Sequence, residues 1–461
     1  MPDKTASGRK SPARTRGRAR APASTSKSAN AAAEPPGSSA AKPAVAKPVS
    51  KSSAMRPGKI GLALAGGGPL GGIYEVGALL ALADSLDGLD LNRLDAYVGV
   101  SSGGFVAAAL ANGISPAQMY RLFIADGADA ALKPEIFLRP AFGEFGRRLA
   151  ALPGLALRAS IQYLRDPFHR GIMESFATLA QAVPTGVFDN RAIDAFLARL
   201  FAAPGRTNDF SQLGRKLFLV ATNLDTGASV TFGAPGYDHV PISRAIEASS
   251  ALPGLFPPVE IDGEHYVDGA LNKTLHASVA LDEGVSLLFC VNPLVPFDAR
   301  SSAHRGGLSR RKLNQGGLPL VLGQTFRAII HSRMKVGMEK YERQYPDATI
   351  MLFEPGPEDA DMFFANIFSY GQRRRLCALA FDKTRQNLMA RADVLMPVLR
   401  RHGITLRVDR LDNAARGVMD ALTDPRPLHA QTPGNVRRTT RDLRHTLGHL
   451  ERWLAGEGRG L

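Results

Sequence analysis

The sequence predicts an α/β fold, and three observations predict it. Short, largely apolar runs at residues 59–65, 96–100, 216–222 and Val285–Val291 suit strands buried on both faces of a sheet. Stretches with apolar residues near a period of 3.6 stand between them, most clearly at residues 73–86, where Ile73, Val76, Leu79, Leu80, Ala83 and Leu86 share one face. The first two strands run straight into glycine-rich turns that open helices. With 461 residues, 44% of them hydrophobic, the chain is long enough to bury one large core or two.

The chain begins with a segment, residues 1–56, expected to be a disordered basic tail. Its first fifty residues hold ten Lys/Arg against two acids, Asp3 and Glu34, with no aromatic residue. Such a composition buries too little apolar surface to offset the entropy of ordering. A tail of this kind attracts anionic lipid head groups or nucleic acid, and a solubilising leader is the plain alternative. Its Arg- and Ser-rich, acid-poor make-up also resembles an organelle transit peptide, without the amphipathic period of one. No signal peptide is expected, and no run of apolar residues is long enough for a transmembrane helix. Two cysteines, Cys290 and Cys377, leave no disulfide framework and favour a reducing, cytoplasmic location, with any membrane contact peripheral.

The first strand ends in Gly66, Gly67, Gly68, Pro69, Leu70, Gly71 and Gly72. Such a turn presents bare backbone N–H groups to an anion. A dinucleotide fingerprint is one use of the pattern Gly66-x-Gly68-x-x-Gly71. That fingerprint expects an acid closing the next strand, and the next strand closes on Ser101 instead. Ser101 stands in Gly99-Val100-Ser101-Ser102-Gly103, between the strand at 96–100 and an Ala-rich helix at 105–112. This strand, sharp turn and helix form the setting of an exposed nucleophile, with the helix N-terminus aimed at the charge that develops on attack. The two turns would lie side by side at the carboxyl ends of neighbouring strands, as an oxyanion hole beside a nucleophile does.

Residues 113–200 read as helical, and the part at 136–168 mixes apolar residues with arginines, as a lid, a membrane-facing surface or ordinary packing helices do. The strand at 216–222 is followed by a turn at 223–227 and a return at Ser229–Phe232. A helix at 243–250 precedes a hairpin around Asp262-Gly263, which ends in Asp268-Gly269-Ala270. Beyond Val285–Val291 come a polar loop, a long helix at 318–344, a strand at 348–353, helices at 372–400, and a tail helix at 436–454 with Leu443, Leu447, Leu450 and Leu454 on one stripe.

A serine nucleophile needs a base. Of the ten histidines, His276 and His331 read as helical, His265 points to the opposite strand face from Asp268, and His429, His445 and His449 lie in the tail. Asp268, at a strand end next to Gly269, is the better placed base.

In these motifs the chain resembles the patatin-like phospholipases. The glycine run 66–71, the Gly99–Gly103 turn and Asp268-Gly269-Ala270 occur in the family's order, joined by the runs 221–227 and 248–258. The resemblance covers residues 58–295 and implies a three-layer fold, with a mainly parallel sheet between helices. It implies hydrolysis of lipid acyl esters by a Ser101–Asp268 dyad, with the amides of Gly66, Gly67 and Gly68 as the oxyanion hole and Gly71, Gly99, Gly103 and Gly269 as motif glycines. It implies no metal and no cofactor. A lipid ester is the expected substrate, an anionic membrane a peripheral partner of the basic tails, and nucleic acid not a partner.

The expected organisation is a basic tail at 1–56, a catalytic domain at 57–300, a C-terminal part of the core with helical extension at 301–430, and an amphipathic tail helix at 431–461. One departure stands out: Leu70 occupies the place where the family usually has Arg or Lys, so the preference for phospholipid over neutral ester stays open. A histidine-dependent α/β-hydrolase and a catalytically silent lipid- or granule-binding protein are the competing classes.

Overall fold

A computed structural model describes residues 58–125, 139–165, 183–298, 317–359, 362 and 369–423. The tail expected at 1–56 and the tail helix expected at 431–461 lie outside the described residues, and so do parts of the stretches expected at 136–168 and 301–430.

An eight-stranded mixed sheet organises the molecule. Strand β1 (Lys59–Leu64) is central, pairing in parallel with β3 (Ala96–Gly99) on one side and β8 (Val285–Val291) on the other. Parallel pairing continues outwards from β3 to β4 (Lys216–Asn223) and from β8 to β9 (Thr349–Phe353). Three antiparallel strands complete the sheet: β5 (Ser229–Phe232) and β7 (Glu264–Asp268) on β4, and β6 (Val259–Ile261) on β7.

The two-sided burial read from the strand sequences reflects a true alternation. Leu62, Leu64, Leu217, Leu219, Leu287 and Phe289 belong to one hydrophobic cluster, whose helical members come from α1 (Gly68–Ser85), α2 (Ser102–Ala111) and others. Their odd and even neighbours Ala63, Ala65, Phe218, Val220, Leu288 and Cys290 belong to a second cluster, with Ala277, Ala280, Met334 and Tyr341. The sheet is therefore the middle of three layers.

Several element ends differ from expectation. Helix α1 starts at Gly68, five residues before 73, because Pro69 sits in the first turn, where no N–H is needed, and its fixed φ suits the helix. Helix α2 starts at Ser102, directly after the turn. The helix Ile242–Ser249 starts and ends one residue earlier than read. A further element had no periodic signature: Leu86–Asp87 (β2) pairs antiparallel with Thr405–Leu406 (β10) and ties the end of α1 to the C-terminal part.

Candidate active site

The pairing of β4 explains how two distant residues meet. Leu219 pairs with Gly99 on one side and Phe232 on the other, and Ala221 with Val230 and Asp268. Strands β3 and β7 must therefore lie end to end along one edge of β4. Where β3 leaves the sheet to make the Ser101 turn, β7 arrives from the opposite direction carrying Asp268.

Ser101 holds a left-handed backbone (φ 53°, ψ −125°) that costs a non-glycine residue about 1–3 kcal/mol. The neighbouring glycines make the turn sterically possible: a Cβ at Gly99 would lie 2.5 Å from Gly104 Cα, and one at Gly103 would lie 2.5 Å from the Ala65 carbonyl oxygen. The Ser101 N–H donates to Ser249 Oγ (2.8 Å), whose hydroxyl donates to the Val220 carbonyl (2.6 Å). The strained turn is thus pinned to the sheet from a second element. Gly66 lies directly beside it, since a Cβ there would stand 3.0 Å from Ser101 Cβ.

Among the described residues, the N–H groups of Gly66, Gly67 and Gly68 are spent on no protein acceptor, and Ser102 opens α2 with its own N–H likewise uncommitted. Leu70 is half-buried and packs against the main core.

Asp268 is 3% exposed. Its Oδ1 accepts from the Ala270 N–H (2.8 Å), its own N–H donates to the Ala251 carbonyl (3.0 Å), and the Ser101 hydroxyl is near enough to favour its charged form. Gly269 is required by close approach, because a Cβ would lie 2.2 Å from the Val220 oxygen. Burial pushes the Asp268 pKa up to about 6, while the Ala270 N–H and the Ser101 hydroxyl pull it down less strongly. A carboxyl so tuned is charged at neutral pH, and is more basic than an ordinary aspartate.

Ser101 opens into an apolar cavity of about 150 Å³ that includes Ile73, Val76, Phe105, Phe123, Ile193 and Phe196. Arg373 is its one charged lining residue among those described; it is buried and donates to the Phe123 carbonyl (3.1 Å). No described histidine lines this cavity. His276, read above as helical, stands one residue before its helix in a left-handed conformation, with its ring 3.3 Å from the Gly269 carbonyl and lining a different cavity. His265 is exposed near Asp225 (3.7 Å). Sequence reasoning gave no role to Ser249 or Arg373: each acquires its place only through tertiary contacts, although Ser249 lies within the run 248–258 that carries part of the resemblance.

Comparison with known proteins places these residues in a family context. Residues 62–281 match the model of the Patatin family, described as patatin-like phospholipase. Similar solved structures include VipD from Legionella pneumophila (16% identity, 72% of this chain and 67% of that chain, TM-score 0.34). The type III effector protein ExoU is similar at 17% identity (87% and 65%, TM-score 0.31). Human GIVD cytosolic phospholipase A2, solved in complex with methyl γ-linolenyl fluorophosphonate, is similar at 14% identity (75% and 60%, TM-score 0.32). The chain thus spans less than two thirds of the length of the last two.

Proposed function

From the match of residues 62–281 to the patatin-like phospholipase family, we propose that the chain is a lipid ester hydrolase that works by a Ser101–Asp268 dyad through an acyl-enzyme. The observation that carries this is the buried Asp268 that β7 brings to the Ser101 turn along β4, with no histidine lining the cavity among the described residues. Asp268 takes the proton as Ser101 Oγ attacks the ester carbonyl carbon. The negative charge that forms on the carbonyl oxygen meets the uncommitted N–H groups of Gly66, Gly67 and Gly68 and the amino end of α2. Collapse breaks the C–O bond, and Asp268 returns the proton to the departing alcohol. Water then repeats the sequence, with Asp268 again as base, and frees the acid. The apolar cavity suits a fatty acyl chain, so the substrate class is a phospholipase A or lysophospholipase type of ester.

Hydrolysis of p-nitrophenyl esters, then of lipids, by wild type, Ser101→Ala and Asp268→Asn tests the assignment. Both variants should stay folded and lose nearly all rate. If Asp268→Asn keeps most of the activity, the base is elsewhere and a histidine-dependent mechanism takes over. A folded wild type inactive on every ester would support a silent lipid-binding role.

A further inference from the structure

Helix Phe142–Arg165 turns the wrong face to solvent. Phe142 is 77% exposed, Leu149 68% and Leu157 63%, and Phe145 and Ile161 are also open. Its one buried residue among those described is Leu155, with Arg148 and Leu152 half-buried, so the helix touches the body of the protein along a narrow stripe. At about 100° per residue, Phe142, Phe145, Leu149 and Leu157 fall within about 120° of one another, in a sector that begins beside that stripe and turns away from it. Arg147 and Arg158 lie on the polar side.

This apolar face runs on to the rim of the catalytic cavity. Ala141 N–H donates to the Val187 carbonyl (3.0 Å), and Phe188 N–H to the Leu255 carbonyl (2.8 Å). Val187 and Leu255 are themselves exposed. The next residue, Phe256, lines the cavity with Ser101, and its ring centre is 6.3 Å from that of Phe188.

We propose that this surface docks the enzyme on an anionic lipid membrane, laying the helix in the plane of the head groups with Phe142, Leu149 and Leu157 among the acyl chains. The proposal rests on the preceding assignment only in taking the substrate to be a lipid ester. Two features favour a membrane over a second copy of the chain. The helix sequence carries four arginines against one acid, Glu144, so a homophilic contact would bring like charges together, whereas anionic head groups complement them. The face also adjoins the opening through which a lipid must pass. None of the described helices is long and apolar enough to cross a membrane.

The test is cosedimentation of the full-length Ser101→Ala chain with vesicles of phosphatidylcholine, with and without phosphatidylglycerol, so that binding is read without turnover. Adding Phe142→Ser, Leu149→Ser and Leu157→Ser should lower binding to the anionic vesicles at least about tenfold. Adding Arg147→Glu and Arg158→Glu instead should reduce the preference for anionic vesicles, the basic tails keeping their own share, and leave neutral-vesicle binding unchanged. The same surface changes on an otherwise wild-type chain should leave p-nitrophenyl butyrate hydrolysis in solution intact, which separates this proposal from the catalytic one. Undiminished binding by the triple variant overturns the proposal. So does a triple variant that converts a dimer to a monomer in size-exclusion chromatography while still binding vesicles, or one that melts earlier, since the face would then pack on protein.

Discussion

Asp84 and Asp268 are both buried aspartates, and their surroundings are opposite. Asp84, near the end of α1, meets two guanidinium groups: Arg410 at 2.8 Å and Arg416 in a bidentate pair at 2.7 and 2.8 Å. Arg385 adds hydrogen bonds to the carbonyls of Arg410, Leu411, Asn413 and Arg416, so this region is a lock that holds the C-terminal part to α1. Burial alone would raise the Asp84 pKa, but Arg416 and Arg410 together hold it below the usual aspartate value. Asp268 has only a backbone N–H and a serine hydroxyl to oppose its burial, and its pKa rises. A buried acid with a compensating cation fixes structure; one left without a cation holds a proton affinity useful for chemistry.

That contrast is broken most sharply by removing each charge at constant size. Asp268→Asn should lower kcat about a thousandfold or more, with little change in melting temperature, because the proposed base is gone and the side-chain shape remains. Asp84→Asn should do the reverse: ester hydrolysis near wild type in the folded protein, and stability lower by about 2–3 kcal/mol in denaturant titration, because two guanidinium groups lose their partner. Equal losses of activity from both would mean that the lock also shapes the site.

Gly66→Ala is a smaller perturbation of the catalytic end alone. Its new Cβ would sit 3.0 Å from Ser101 Cβ, tighter than an ordinary contact. The serine turn and the glycine amides must separate by a few tenths of an ångström. We expect kcat to fall about tenfold at unchanged stability, read with a soluble ester.

The difference between these regions also explains what the sequence disclosed. Strands such as 216–222 were legible because both faces are buried, and the Ser101 turn because glycine is demanded at 99 and 103 by backbone contacts within a short stretch. Asp268 was marked by its strand end and its following glycine, but its nearness to Ser101 depends on β7 continuing the edge that β3 vacates, which no local pattern encodes. The lock was invisible for the same reason, since Asp84 and Arg416 are joined only by the final fold and the β2–β10 ribbon is too short to show a period. The local pattern places the start of α1 late because glycine and proline signal turns, whereas here they form its first turn and the close approach to Ser101.

The mildest probe uses protons in place of mutations. As the proposed base, Asp268 would act only when ionised, and its raised pKa of about 6 places the loss of that form well above the range of an ordinary carboxyl. The kcat/KM for a soluble ester should therefore be flat above pH 7 and fall about tenfold per unit below pH 6. Asp84 has a depressed pKa, so its contribution to stability is complete above the unfolded-state value of about 3.9 and is lost only as pH falls through the lower folded value. Between pH 5 and 6 the enzyme should thus grow inactive while its melting temperature holds as far as the lock is concerned, and full activity should return on readjustment to pH 7. A histidine base would give a limb in a similar place, but ionisation of imidazole carries a large enthalpy and that of a carboxyl very little. Repeating the profile at two temperatures decides between them: a limb that stays in place belongs to Asp268, and one that moves to lower pH on warming would assign the base to a histidine.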